Sequence, residues 1–279
     1  MVGLAELVPP YLMRPAMKNI LRQSIVICVC TVVAIAASPA PAAEWGSIKG
    51  RFVVDGAPPK LPPLQVTKDQ FCIEIQPKNE SVVVGEKNGL VNAVVFLRVP
   101  RRGKVEVHPD YEAQLSEPSA LDNKNCSFQP HIALVRVGQP FVIKNSDPDP
   151  VSHNTNAKLF QNGQFNVIIA VGEEKTMEFS KTETLPMPVN CNIHPFMQGH
   201  ILVQDHPYMA VAGEDGTFEI KNIPAGKHEF QFWHEQSGYL KGVKYKGGTA
   251  SRQGRVDLTI AGGQTLDLGE IKVPASLLK

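Results

Sequence analysis

The sequence predicts an all-β chain built from packed sandwiches, and three observations carry the prediction. No stretch beyond residue 42 sustains a helical apolar period for three turns. Short runs rich in β-branched and aromatic residues recur from Phe128 to Val203, each bounded by turn residues. Two turn signals, Asp215-Gly216 and Pro224-Ala225-Gly226, separate alternating segments nearer the C-terminus. Short strands at such intervals fold as a sandwich or barrel.

At the N-terminus, Lys18 and Arg22 precede an uncharged run from Ser24 to Ala37, which Ala40-Pro41-Ala42 follows. These are the basic, apolar and small-residue regions of a secretory signal, predicted over residues 1–42 with Met1 or Met17 as the start. The run is short for a bilayer, and Pro39 and Pro41 argue against an uncleaved anchor. The expectation is therefore a periplasmic or otherwise extracytoplasmic protein with no membrane span after cleavage. Cleavage removes Arg14, Lys18, Arg22 and Glu6, leaving 25 basic against 26 acidic residues from the original 28 and 27. That balance gives no electrostatic case for nucleic acid. Cys28 and Cys30 leave with the signal, so Cys72, Cys126 and Cys191 remain. If Cys191 binds a metal, Cys72 and Cys126 can pair in an oxidising compartment, closing a loop worth about 4 kcal/mol. Two buried free thiols are the alternative.

The mature chain opens with a predicted strand from Glu44 to Asp55 that ends at the turn Asp55-Gly56. Pro58, Pro59, Pro62 and Pro63 then predict a link along an edge or surface, since proline donates nothing to a ladder. Valine-rich runs at Ser81–Val84 and Val91–Val99, around Lys87-Asn88-Gly89, read as strands and a possible hairpin. Arg101 to Asn125 shows no period and several charges, which predicts an exposed connection. Further strands are expected over His131–Val137, Phe141–Asn145, Phe165–Val171, Lys175–Phe179, Val189–Cys191 and His200–Val203.

Between the last two lies Cys191-Asn192-Ile193-His194-Pro195-Phe196-Met197, a thiolate, an imidazole and a thioether at Cys-x2-His-x2-Met spacing. One thiolate, two imidazoles and a long axial thioether form the ligand set of blue-copper centres. The second imidazole must come from elsewhere, and His153, after the apolar run Pro140–Ile143 and the segment from Asn145, is the natural candidate. A buried cysteine, a surface histidine and a core methionine are the plainer reading of the same loop.

On these residues the chain resembles the cupredoxins, the amicyanin- and plastocyanin-like type 1 copper domains, over roughly Ser81 to Gln204. The resemblance implies a cupredoxin-like Greek-key sandwich at 81–205 holding one type 1 copper through His153, Cys191, His194 and Met197. It implies a role for Asn145 in pinning the two ligand loops together. It further implies single-electron transfer with a redox protein partner, and no enzymatic chemistry of its own. An enzyme with further copper ions would need additional histidines in His-x-His patterns, and none occurs among the eight histidines. A copper-storage or structural protein of the cell envelope is the alternative function.

The run from Met209 to Phe230, with Arg255–Ile260 and Thr265–Val273, resembles carboxypeptidase regulatory-like domains, which are small transthyretin-like sandwiches. This implies a second small β-sandwich at 206–279. Gly50–Pro58 and Val91–Leu97 resemble the opening half of that family. Residues 43–80, an N-terminal β segment and proline-rich link, thus belong either to a separate piece or to a sandwich split around the copper domain. Among other candidates, Met187 is an alternative axial thioether, and His131 or His200 could approach the metal. His206, His234 and Glu235 could form a second metal cluster, or be structural. Lys241, Lys244 and Lys246 could dock an acidic partner, or be a solvated loop.

Overall fold

The computed structural model describes residues 44–100 and 102–279, so the predicted signal lies outside the described residues. The described chain opens with β1 (Trp45–Asp55), passes through a short helix α1 (Gln70–Ile75), and adds β2 (Val94–Arg98). It then runs through β3 (Ser119–Lys124), β4 (Ser127–Gln129), β5 (Ile132–Arg136), β6 (Phe141–Asn145), β7 (His153–Leu159), β8 (Gly163–Ile169), β9 (Glu174–Met177), β10 (Met187–Asn190) and β11 (Gln198–Gln204). It closes with β12 (Met209–Val211), β13 (Thr217–Pro224), β14 (Gly226–His234), β15 (Gly238–Tyr239), β16 (Lys244–Tyr245), β17 (Gly248–Thr249), β18 (Arg255–Ile260) and β19 (Thr265–Pro274). The chain is nearly all β.

Four sheets result. The orders β13-β1-β19-β16-β17 and β12-β2-β14-β15, with β18 beside β14, make the first sandwich; β5-β11-β10-β7-β8 and β4-β3-β6-β9 make the second. The first sandwich is therefore assembled from both ends of the chain, with β1 parallel to β19 and antiparallel to β13. The stretch expected to begin the copper domain at residue 81 divides differently, because β2 pairs with β12 and β14. The expected strand Ser81–Val84 is absent; a single bridge joins Val84 to Leu90. The supposed connection 101–125 holds two 3-10 turns and then β3, with Leu121 and Asn123 buried. At the predicted Asp215-Gly216 turn, Gly216 has φ +82°, and a Cβ there would lie 2.2 Å from the Phe52 carbonyl oxygen. Only glycine fits that approach.

The run Val94-Val95-Phe96-Leu97 does not alternate apolar with polar, for a reason visible in its packing. Val95 and Leu97 enter the core of the first sandwich with Phe52, Phe230 and Phe232. Val94 and Phe96 face the other way, onto Ile132, Leu202 and Trp233, which join the two sandwiches. A strand buried on both faces reads as a continuous apolar run. On the far side of that junction, Ile201 and Val203 enter the second core with Leu121, Phe128, Phe141, Ile169 and Cys191.

Candidate metal centre

His153 is the first residue of β7, and Cys191 follows the last residue of β10. Because β7 and β10 run antiparallel, with Asn190 opposite Asn156, both side chains arrive at one end of the sheet. The loop from Cys191 closes on itself: the Met197 N–H donates to the His194 carbonyl at 2.8 Å, and the Cys191 N–H to the Met197 carbonyl at 3.2 Å. Pro195, between two of these residues, has no N–H to satisfy and a fixed φ.

The side chains converge. Cys191 Sγ lies 4.0 Å from His153 Nδ1 and 3.9 Å from His194 Nδ1, and the two Nδ1 atoms are 3.1 Å apart. A point equidistant from three atoms at these separations sits about 2.1–2.2 Å from each, the range of first-row metal bonds to nitrogen and sulfur. All three residues are at most 1% exposed. Two imidazole nitrogens and a sulfur facing one point in a dry site offer the donor set of a soft or borderline first-row metal ion, so the residues fit such an ion.

Each ring's outer nitrogen has a carboxylate. His153 Nε2 is 2.8 Å from Asp147 Oδ2, and His194 Nε2 is 2.5 Å from Asp69 Oδ2. This is the carboxylate–histidine pattern that fixes which nitrogen faces a metal. Asp147 is itself held by the backbone N–H groups of Asn125 and Cys126. Burial pushes the His153 imidazole pKa down, but Asp147 and Cys191 outweigh it and hold it up at about 9. Burial likewise raises the Cys191 thiol, yet His153, His194 and the surrounding N–H groups bring it down to about 6. The thiolate is the form a soft metal needs.

The predicted ligands His153, Cys191 and His194 thus come together, while Met197 is buried at the end of the same loop and Met187 is buried at the start of β10. Asn145 does not pin the two loops. Its amide bonds Val151 O at 2.9 Å and Ile169 O at 3.1 Å, bracing its own loop against β8. The pin is Asn154, whose Oδ1 accepts from Asn192 N at 2.7 Å and Ile193 N at 3.1 Å. It escaped notice although it directly follows His153.

Sequence reasoning also missed Asp69. After the proline-rich link the chain straps across the second sandwich, where Cys72 is disulfide-bonded to Cys126. The strap sets Asp69 over His194, which is 0% exposed as a result. Asp69 takes φ +55°, a conformation costing about 1–3 kcal/mol in a residue other than glycine, and the bond to His194 offsets it. His131 and His200 stand apart from this centre, beside Glu235. Glu235 therefore joins those two histidines and not His206, whose ring bonds the Leu97 carbonyl and the Tyr208 N–H.

No family model matches the chain, and no curated protein matches it. Among solved structures it is similar to a reduced Cu(I) amicyanin variant at 18% identity and a TM-score of 0.28, over 32% of this chain and 83% of that one. A second reduced amicyanin variant gives 18% identity and a TM-score of 0.28, over 33% and 87%. The copper-containing nitrite reductase of Thermus scotoductus SA-01 gives 21% identity and a TM-score of 0.28, over 38% of this chain and 25% of that one.

Proposed function

We propose that this chain is an exported type 1 copper protein that passes single electrons between redox partners. The observation that carries the reading is the triangle of one sulfur and two Nδ1 atoms around a common point at metal-bond distance. Copper held there by His153, Cys191 and His194, with Met197 on the same loop, would supply a one-electron couple. The chain's own residues set the conditions. Asp147 and Asp69 hold the outer nitrogens of His153 and His194, leaving Nδ1 of each ring to face inward. The His194 N–H, 3.4 Å from Sγ, donates to the sulfur. Burial excludes water, and Pro195 stiffens the loop, so the site reorganises little when its charge changes. The disulfide fits an extracytoplasmic compartment. The first sandwich, in this reading a carboxypeptidase regulatory-like module, is scaffold.

A second reading, a copper-holding protein of the envelope without redox turnover, is favoured by one feature: His194 is wholly buried beneath Asp69, so neither imidazole presents an edge to a partner. Absorption and spin-resonance spectra of the copper-loaded protein separate the possibilities. The parent is expected to show an intense visible thiolate-to-copper band that Cys191→Ser abolishes with the fold intact. No band in the parent removes the type 1 assignment; a band without a reversible voltammetric wave selects the holding role.

A further inference from the structure

We propose that the junction of the two sandwiches carries a second metal site, in which His131, His200 and Glu235, with Glu80 beside them, bind a divalent first-row transition ion. The ligands come from three elements that meet there. His131 immediately precedes β5, His200 lies on β11, and Glu235 immediately follows β14. In β11, His200 shares a face with Leu202, which packs against Trp233 across the junction.

The geometry is that of a ligand set. Glu235 splits its two oxygens between the imidazoles, Oε1 lying 2.9 Å from His131 Nε2 and Oε2 3.3 Å from His200 Nδ1. One donor atom from each residue lies within 4.8 Å of the others. Glu80 Oε2 is 3.5 Å from His131 Nδ1. His131 is 8% exposed, and its Nδ1 makes no hydrogen bond. His200 Nδ1 is buried and makes none either, despite its distance to Glu235. Two imidazoles and carboxylate, without thiolate, suit a divalent ion of borderline softness.

Charge points the same way. Two carboxylates, Glu235 and Glu80, meet at the cluster. Lys78 lines the adjoining cavity but makes no ion pair with Glu80 or Glu235 among the described residues. A divalent ion would match the charge of the two carboxylates. The cluster opens onto a cavity of about 300 Å³ that Phe196 and Met197 also line, giving an ion a way in.

The test is zinc content after saturation with Zn²⁺ and dialysis, measured on the parent, on Glu235→Gln and on His200→Gln. Each variant is expected to hold one equivalent less than the parent, and Zn²⁺ to raise the parent's melting temperature more than either variant's. Because the readout is a difference of one, it stands whether or not the Cys191 centre takes zinc. Equal zinc content in parent and variants would overturn the proposal. Should Glu235→Gln fail to fold by circular dichroism, His200→Gln, at the rim of the cluster, decides alone.

Discussion

His206 in the first sandwich and His153 and His194 in the second are all 0% exposed, yet they do opposite things. Both nitrogens of His206 are used by backbone: Nε2 lies 3.0 Å from the Leu97 carbonyl, and Nδ1 accepts from Tyr208 N at 3.2 Å. Burial holds that ring neutral, pushing it down to about 4. The other two rings spend their outer nitrogen on carboxylates and point the inner one at each other and at a sulfur. Burial alone therefore does not separate a structural histidine from a candidate ligand; the destination of the second nitrogen does.

The comparison breaks hardest at the crosslink, because the second sandwich has one and the first has none. The Cys72–Cys126 bridge closes a separation of 54 residues, a loop that chain entropy values at about 4 kcal/mol. Cys72→Ser with Cys126→Ser is expected to lower the unfolding free energy by that amount in urea, and to expose His194 by releasing the Asp69 strap. A loss below about 1 kcal/mol would mean that the loop is already constrained in the unfolded chain.

The next effect is acid sensitivity. His206 is lowered from 6.5 to about 4, mainly by burial; nearby Asp205 raises it and Arg136 lowers it. The unfolded chain thus binds a proton between pH 6.5 and 4 that the folded chain refuses. Stability is full above pH 6.5 and falls as pH drops toward 4, by up to about 1.4 kcal/mol per unit from this ring. His234, also near 4, adds to the same limb. His206→Gln offers the same donor and acceptor without the titration, so its stability from pH 7 to 4 should fall less steeply than the parent's. An unchanged slope would remove His206 from the account.

How far the sequence disclosed all this follows from the range of each interaction. The Cys191 loop was legible because its candidate ligands lie within seven residues, and His153 because a copper site needs a second imidazole. Strands with a period of two, such as Phe141–Asn145, were found at their observed bounds. Asp69 was not legible: it reaches His194 across 125 positions, after a link whose prolines point only to a surface. The His131–Glu235 contact spans 104 positions and carries no short motif. Charged residues in 101–125 concealed β3, whose buried Asp122 is bonded by Ser146 Oγ at 2.8 Å.

The finest test of the comparison sets two buried methionines of the second sandwich against each other. Met197 is 2% exposed and tied by its backbone to Cys191 and His194; Met187 is 5% exposed and opposite Ile201 in the sheet. A glutamine in either place costs about 1–3 kcal/mol if its amide finds no partner, so stability barely separates the variants and the redox potential must. A thioether favours Cu(I), whereas an amide oxygen favours Cu(II). Met197→Gln is therefore expected to lower the midpoint potential and keep a coloured oxidised site, since the sulfur and both Nδ1 atoms remain. Met187→Gln should leave the potential close to the parent's. Cyclic voltammetry on the three proteins checks this, and the reverse pattern would move the axial contact from the loop to β10. A shift in both would mean that the polarity of the second core, rather than a bond to one sulfur, sets the potential.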